Sequence, residues 1–143
     1  MKKFLCLLLL LPIFLACNKD SDNRNVNPYL PDYSFSVSIN TNLAQYAGLR
    51  TVANPVAVDI EGAGISGLIV LKMSDTDYRA WDAACPNQYP EACSKLHFET
   101  AAIEAECSCE NNKFNLITGL GDGAFTLKSY RYEIQGEVIR IYN

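Results

Sequence analysis

Between Phe35 and Tyr142 the apolar residues come in short runs that alternate with polar ones, and this spacing dictates the kind of fold available. Phe35, Val37 and Ile39 alternate with serines, and Val56, Val58 and Ile60 alternate with Ala57 and Asp59. Gly67 to Leu71 is a continuous apolar run of the type that is buried on both faces. Tyr78 to Asp82 follows a Ser74-Asp75-Thr76-Asp77 turn. Ile103, Ala105 and Cys107 alternate with Glu104 and Glu106, and Phe114 with Leu116 forms a further short pair. Tyr130, Tyr132 and Ile134 alternate with Arg131 and Glu133, and Gln135-Gly136 turns the chain into Val138 to Tyr142. Period two, punctuated by Gly or Asp roughly every 8–12 residues, specifies an antiparallel all-β domain. Asn42 to Leu49 is the one segment expected to form a short helix. About 110 residues, 34–143, can bury a small but real core.

The N-terminus has a different character. Lys2 and Lys3 precede an apolar stretch from Phe4 to Leu15, too short to cross a bilayer. It ends in Phe14-Leu15-Ala16-Cys17. A small residue before Cys is what lipoprotein signal peptidase requires, because the thiol is diacylated before the cut. Residues 1–16 therefore read as a lipoprotein signal peptide and Cys17 as the lipidation site, with Cys6 discarded in the leader. Two acyl chains suffice for stable anchoring. Residues 17–33 are polar and irregular, with Pro28 and Pro31, and read as a flexible tether. Asn18 at the position after Cys17 resembles lipoproteins sorted to the outer membrane, and Lys19-Asp20 resembles a surface-export signal.

Removing the leader leaves ten Lys or Arg against sixteen Asp or Glu, a formal net charge of −6. No basic patch is present, so nucleic acid is not an expected partner. Membrane attachment is expected through lipid alone, beside an unidentified protein or envelope partner. Gly62-x-Gly64 and Gly119-x-Gly121-x-Gly123 read as turn glycines, since no helix follows either where a phosphate loop needs one. No Ser, His and Asp fall at a spacing that suggests a triad, and the expectation is a protein that is not an enzyme.

Four cysteines remain beyond the anchor: Cys85, Cys93, Cys107 and Cys109. In an oxidising envelope an even set reads first as disulfides. Zinc or an all-Cys cluster is an alternative, although Cys-x₇-Cys and Cys-x-Cys are not the usual zinc spacing. No Cys-x-x-Cys marks a redox-active pair.

Tyr78-Arg79-Ala80-Trp81-Asp82-Ala83-Ala84-Cys85-Pro86 resembles the strand and first cluster loop of Rieske proteins. Cys107-Ser108-Cys109-Glu110, with Lys113-Phe114-Asn115-Leu116-Ile117-Thr118-Gly119, is similar to their second loop and following strand. Leu127 to Ile141 resembles the closing hairpin, and Val56 to Leu71 the strands before the first loop. The resemblance implies a sandwich of three small stacked antiparallel sheets, with both loops projecting from the smallest. It also implies a [2Fe–2S] centre, which needs Cys₂ on one iron and His₂ on the other. The matching positions here hold Cys85 with Asn87 and Cys107 with Glu110, so both histidines are missing. His97, the chain's one histidine, fits neither position and reads as a structural strand residue, while Asn87 and Glu110 read as plain polar loop residues. Gly121 to Phe125 also lacks the proline that covers the family's cluster.

The expectation is a fold that has lost its cluster, with no metal; the alternative is a Rieske-type [2Fe–2S] electron-transfer protein. High-potential members join their loops by a disulfide between a second Cys in each, positions that Cys93 and Cys109 match in order. The former ligands Cys85 and Cys107 would converge without iron between them. The resemblance thus implies Cys85–Cys107 and Cys93–Cys109. Pairing 85 with 109 and 93 with 107 is possible but not what the analogy favours, and 107 with 109 would need a strained Cys-x-Cys bridge.

Overall fold

The computed structural model describes residues 27–143. The expected signal peptide, the expected lipidation site Cys17 and residues 18–26 of the expected tether lie outside the described residues. The described chain forms nine strands: β1 Ser36–Asn40, β2 Val56–Val58, β3 Leu68–Ser74, β4 Asp77–Asp82, β5 Leu96–His97, β6 Glu104–Cys107, β7 Asn112–Asn115, β8 Arg131–Gln135 and β9 Val138–Tyr142. A 3₁₀ helix, Ala44–Arg50, stands where a short helix over 42–49 was expected. Among the described residues no helix is long and apolar enough to cross a membrane.

The strands pair antiparallel into three sheets, ordered β1-β9-β8, β2-β3-β4 and β5-β6-β7. They stack with β2-β3-β4 in the middle, which explains the uninterrupted run in β3. Leu68 and Val70 face one core with Ile39, Val58, Ala80, Ile139 and Ile141. Ile69 and Leu71 face a second core with Trp81, Leu96, Ala105, Phe114 and Leu116. A strand covered on both faces has no polar side to alternate with. Each fully buried Leu, Ile or Phe contributes about 1.5–3 kcal/mol of transfer free energy. This is the all-β, three-sheet sandwich that the Rieske resemblance implies. Two alternating residues do not follow the pattern: Ile103 is exposed because β6 begins one residue later, and Ile134 is exposed toward the end of the edge strand β8.

A buried carboxylate ties the layers together. Asp82, wholly buried at the end of β4, accepts from the Ile65 and Ala84 amides at 2.6 and 2.7 Å, and from the Tyr130 hydroxyl at 2.6 Å. The Ser66 amide adds a longer bond at 3.3 Å. Such a group is tolerable in an apolar core only because its acceptor capacity is filled. Burial, then the bond to Asp82, pushes the Tyr130 phenol well above its ordinary pKa.

The tether reading needs correction from residue 27 onward. Leu30 is buried, and side chains between Tyr29 and Phe35 contact residues 125–130. Tyr29 packs on Phe125, Asp32 forms an ion pair with Lys128, and Phe35 packs on Tyr130. A single well-placed Leu and a few aromatic contacts are enough to dock a segment whose composition alone reads as solvated.

Candidate functional site: two cross-linked loops and a third that covers them

The third sheet carries the loops. The first leaves β4 and returns to β5, closed by a bridge between Ala84 and Lys95, by Cys85 N–H to the Ser94 carbonyl at 2.7 Å and by Leu96 N–H to the Ala83 carbonyl at 2.7 Å. Inside it the buried Ser94 hydroxyl accepts from the Glu91 amide at 2.6 Å and donates to the Glu91 carbonyl at 2.8 Å. The second loop turns β6 into β7 through Ser108 to Asn111, with Asn111 at φ +56°, a conformation asparagine tolerates better than most residues.

These two loops are joined covalently. Cys85 is bonded to Cys107 and Cys93 to Cys109, with Cα–Cα separations of 5.8 and 5.1 Å. The first bridge is buried, each cysteine 1% exposed, whereas Cys93 is exposed and Cys109 half-buried. Gln88 spans both bridges: its Nε2 donates to Cys109 Sγ at 2.6 Å, and its Oε1 lies 3.7 Å from Cys107 Sγ. Glu91 also approaches Cys93 and Cys109, but sulfurs already bonded to each other do not offer thiolates to an ion.

Asn87 is not a plain loop residue, and here the sequence expectation fails. Its Oδ1 accepts from the Ala124 and Phe125 amides at 2.9 and 2.8 Å. Its Nδ2 donates to the Asp122 and Phe125 carbonyls at 3.1 and 3.4 Å. One carboxamide thus uses both ends to clasp the backbone of a third loop, Gly121 to Thr126, over the cross-linked pair. Gly123 makes room for it: it has φ +95°, and a Cβ there would run into the Asn87 carboxamide. Glu110, by contrast, is exposed and accepts from Asn112 Nδ2 at 2.7 Å, as a plain polar loop residue does.

His97 is exposed on β5, with its Nδ1 3.2 Å from Ser108 Oγ. Among the described residues no carboxylate bonds the imidazole, so nothing orients it as a base. Sequence reasoning also missed Asn27, whose Nδ2 donates to the Pro86 carbonyl at 2.7 Å, and Tyr29, which packs edge-on against Tyr89 and Phe125 at 5.1 and 5.9 Å. The only signal for them was the Asn27-Pro28-Tyr29 turn, where Tyr29 N–H donates to Asn27 Oδ1 at 2.9 Å.

The donor set does not suit a Rieske cluster. Of the four matching positions, two sulfurs are bonded to each other, one amide is committed to backbone, and one carboxylate lies exposed on the surface. Fold and site together define a three-sheet β domain with two disulfide-joined loops beneath a hydrogen-bonded third.

No protein-family model matches this chain, and no curated protein matches it. Among solved structures it is similar to the ferredoxin of carbazole 1,9a-dioxygenase from Nocardioides aromaticivorans IC177, at 18% identity over 77% of this chain and 97% of that chain, with a TM-score of 0.43. It is also similar to a chain in the complex of reduced oxygenase and oxidized ferredoxin in carbazole 1,9a-dioxygenase, at 16% identity over 76% and 92%, with a TM-score of 0.46. At such identities a shared chain path brings no residue roles with it.

Proposed function

We propose that this is an outer-membrane lipoprotein, anchored through Cys17, that presents a cluster-free Rieske-like domain in a structural or binding role. The observation that carries the reading is the engagement of the former ligand positions. Cys85 and Cys107 hold each other, and Asn87 holds Asp122, Ala124 and Phe125. A side chain committed to four backbone groups is a fastener, and exchanging it for a metal ligand would orphan two amides. The domain therefore offers the envelope a loop surface fastened by two disulfides and the Asn87 carboxamide.

The test is mass spectrometry of the mature protein purified anaerobically from membranes. The expected mass is that of the acylated chain from Cys17 less four hydrogens, with no iron and no free thiol. Stoichiometric iron and acid-labile sulfide would overturn the cluster-free reading and restore electron transfer. An unacylated N-terminus would overturn the lipoprotein reading. Fractionation with the inner membrane would overturn the localisation.

A further inference from the structure

The N-terminal segment enters the domain at the loop tip. Asn27 bonds the Pro86 carbonyl, next to Cys85, and Tyr29 sits between Tyr89 of the first loop and Phe125 of the third. From there the chain runs away from the tip, past Lys128 and Tyr130, into β1. The β8–β9 turn at Gln135-Gly136 lies at the opposite end, because Asn40, the last residue of β1, pairs with Val138. That turn is about 16 Å beyond the start of β1.

Ten peptide steps separate Cys17 from Asn27. Fully extended, they span at most about 35 Å. An anchor at Cys17 thus keeps the loop tip, where the chain enters the domain, within about 35 Å of the lipid surface, and the composition of the tip decides which end meets it. The tip has the composition for that surface. Tyr89 is 67% exposed and packs on Tyr29, which in turn packs on Phe125. Aromatic rings with a polar end are favoured at the bilayer headgroup level. The three loops, 85–93, 107–112 and 121–126, contain no Lys or Arg but carry Glu91, Glu110 and Asp122. Attraction to anionic lipid is therefore not the cause of the contact.

We propose that the cross-linked loop tip seats on the bilayer carrying the protein's own acyl chains, with Tyr89 as the interfacial side chain and the β8–β9 turn pointing away. This rests on the Cys17 anchor proposed above. It leaves the far sheet β1-β9-β8 as the face open to other molecules.

The experiment uses the acylated mature protein in phosphatidylcholine vesicles doped with headgroup-spin-labelled phosphatidylcholine. An environment-sensitive fluorophore is carried on an unnatural amino acid at exposed position Ala124 or Gln135, which leaves the four cysteines untouched. Quenching at position 124 should exceed that at position 135 severalfold, and Tyr89→Ser should reduce it about twofold without changing position 135. Equal quenching, stronger quenching at 135, or none at either position overturns the orientation. Unchanged quenching in Tyr89→Ser overturns the aromatic seat. Intact mass of the same sample separates the two readings: missing acyl chains refute the anchor and the seat with it, whereas acyl chains present with the wrong quenching order refute the seat alone.

Discussion

Asn87 and Phe125 are bonded in both directions. Asn87 Oδ1 accepts the Phe125 amide at 2.8 Å, and Asn87 Nδ2 reaches the Phe125 carbonyl at 3.4 Å. This is the pattern of a neighbouring strand reproduced by one side chain, and it fixes Phe125 where it packs on Tyr29. The third loop and the N-terminal segment are therefore held through the same carboxamide.

Asn87→Ala should destabilise the domain by about 1–3 kcal/mol, since it strands the Ala124 and Phe125 amides. Asn87→Asp keeps the acceptor but loses the donor, so it should cost less. Asn87→His, although it restores an imidazole, should resemble Ala in stability and bind no iron. Urea unfolding with an unchanged slope measures the effect. An Ala variant as stable as the parent would remove Asn87 from its role.

The two disulfides should be separable by access. Reduction needs a thiolate to reach sulfur, and Cys93 is exposed while Cys85 and Cys107 are each 1% exposed. Under native conditions dithiothreitol should open Cys93–Cys109 first and leave Cys85–Cys107 intact until denaturant is added. Alkylation and peptide mapping at timed intervals read the order. Replacing both members of either pair with Ser should cost roughly 2–4 kcal/mol. Loop lengths of 22 and 16 residues separate the entropic parts by only about 0.3 kcal/mol. Reduction of the buried bridge first would contradict the geometry.

Stability should fall at alkaline pH through Tyr130. Burial and the Asp82 carboxylate favour its neutral phenol, so the folded pKa lies above the unfolded one. A proton held more tightly in the fold gives stability that is complete below the unfolded pKa, about 10, and is lost as pH rises above it. Tyr130→Phe should therefore flatten the decline above about pH 10, while costing about 1.5–3 kcal/mol at pH 7 from the lost bond to the buried Asp82 carboxylate. Urea midpoints measured against pH test this. An alkaline decline of unchanged slope in the Phe variant would assign it elsewhere, with Tyr78 next, since burial raises its phenol too.

The strands were legible because burial imposes a period, and β3 stood out because it is covered on both sides. The order of the cysteines along two loops was legible by resemblance, and the structure contains the two bonds it implied. What stayed hidden were polar side chains that bond distant backbone. Asn87 reaches residues 35 to 38 positions away, Asn27 reaches one 59 away, and Asp82 joins Ile65 to Tyr130. A hydrogen bond to an amide leaves no periodic trace and requires no particular neighbour in sequence, so Asn87 looked like any loop asparagine. The tether misreading has the same root: one buried Leu30 among polar residues docks a segment that composition describes as solvated.

Gly119 offers a test of how the turn after β7 is seated on the second core. It has φ +74°, and a Cβ there would lie 2.7 Å from Cη2 of Trp81, the chain's single tryptophan. That indole cannot retreat easily, because its Nε1 donates to the Leu116 carbonyl at 2.7 Å and its ring is buried. Gly136 supplies the control: its φ of +61° is similar, but a Cβ there meets nothing within 4 Å. Gly136→Ala should therefore cost only the left-handed backbone penalty, about 1–2 kcal/mol. Gly119→Ala should cost that plus the displacement of the indole, about 1–3 kcal/mol more by analogy with overpacked cores. The tryptophan emission should shift in Gly119→Ala and stay fixed in Gly136→Ala, since only the first moves the ring. Equal losses in the two variants, with emission unchanged in both, would show that Trp81 yields freely and that Gly119 is needed for its backbone conformation alone.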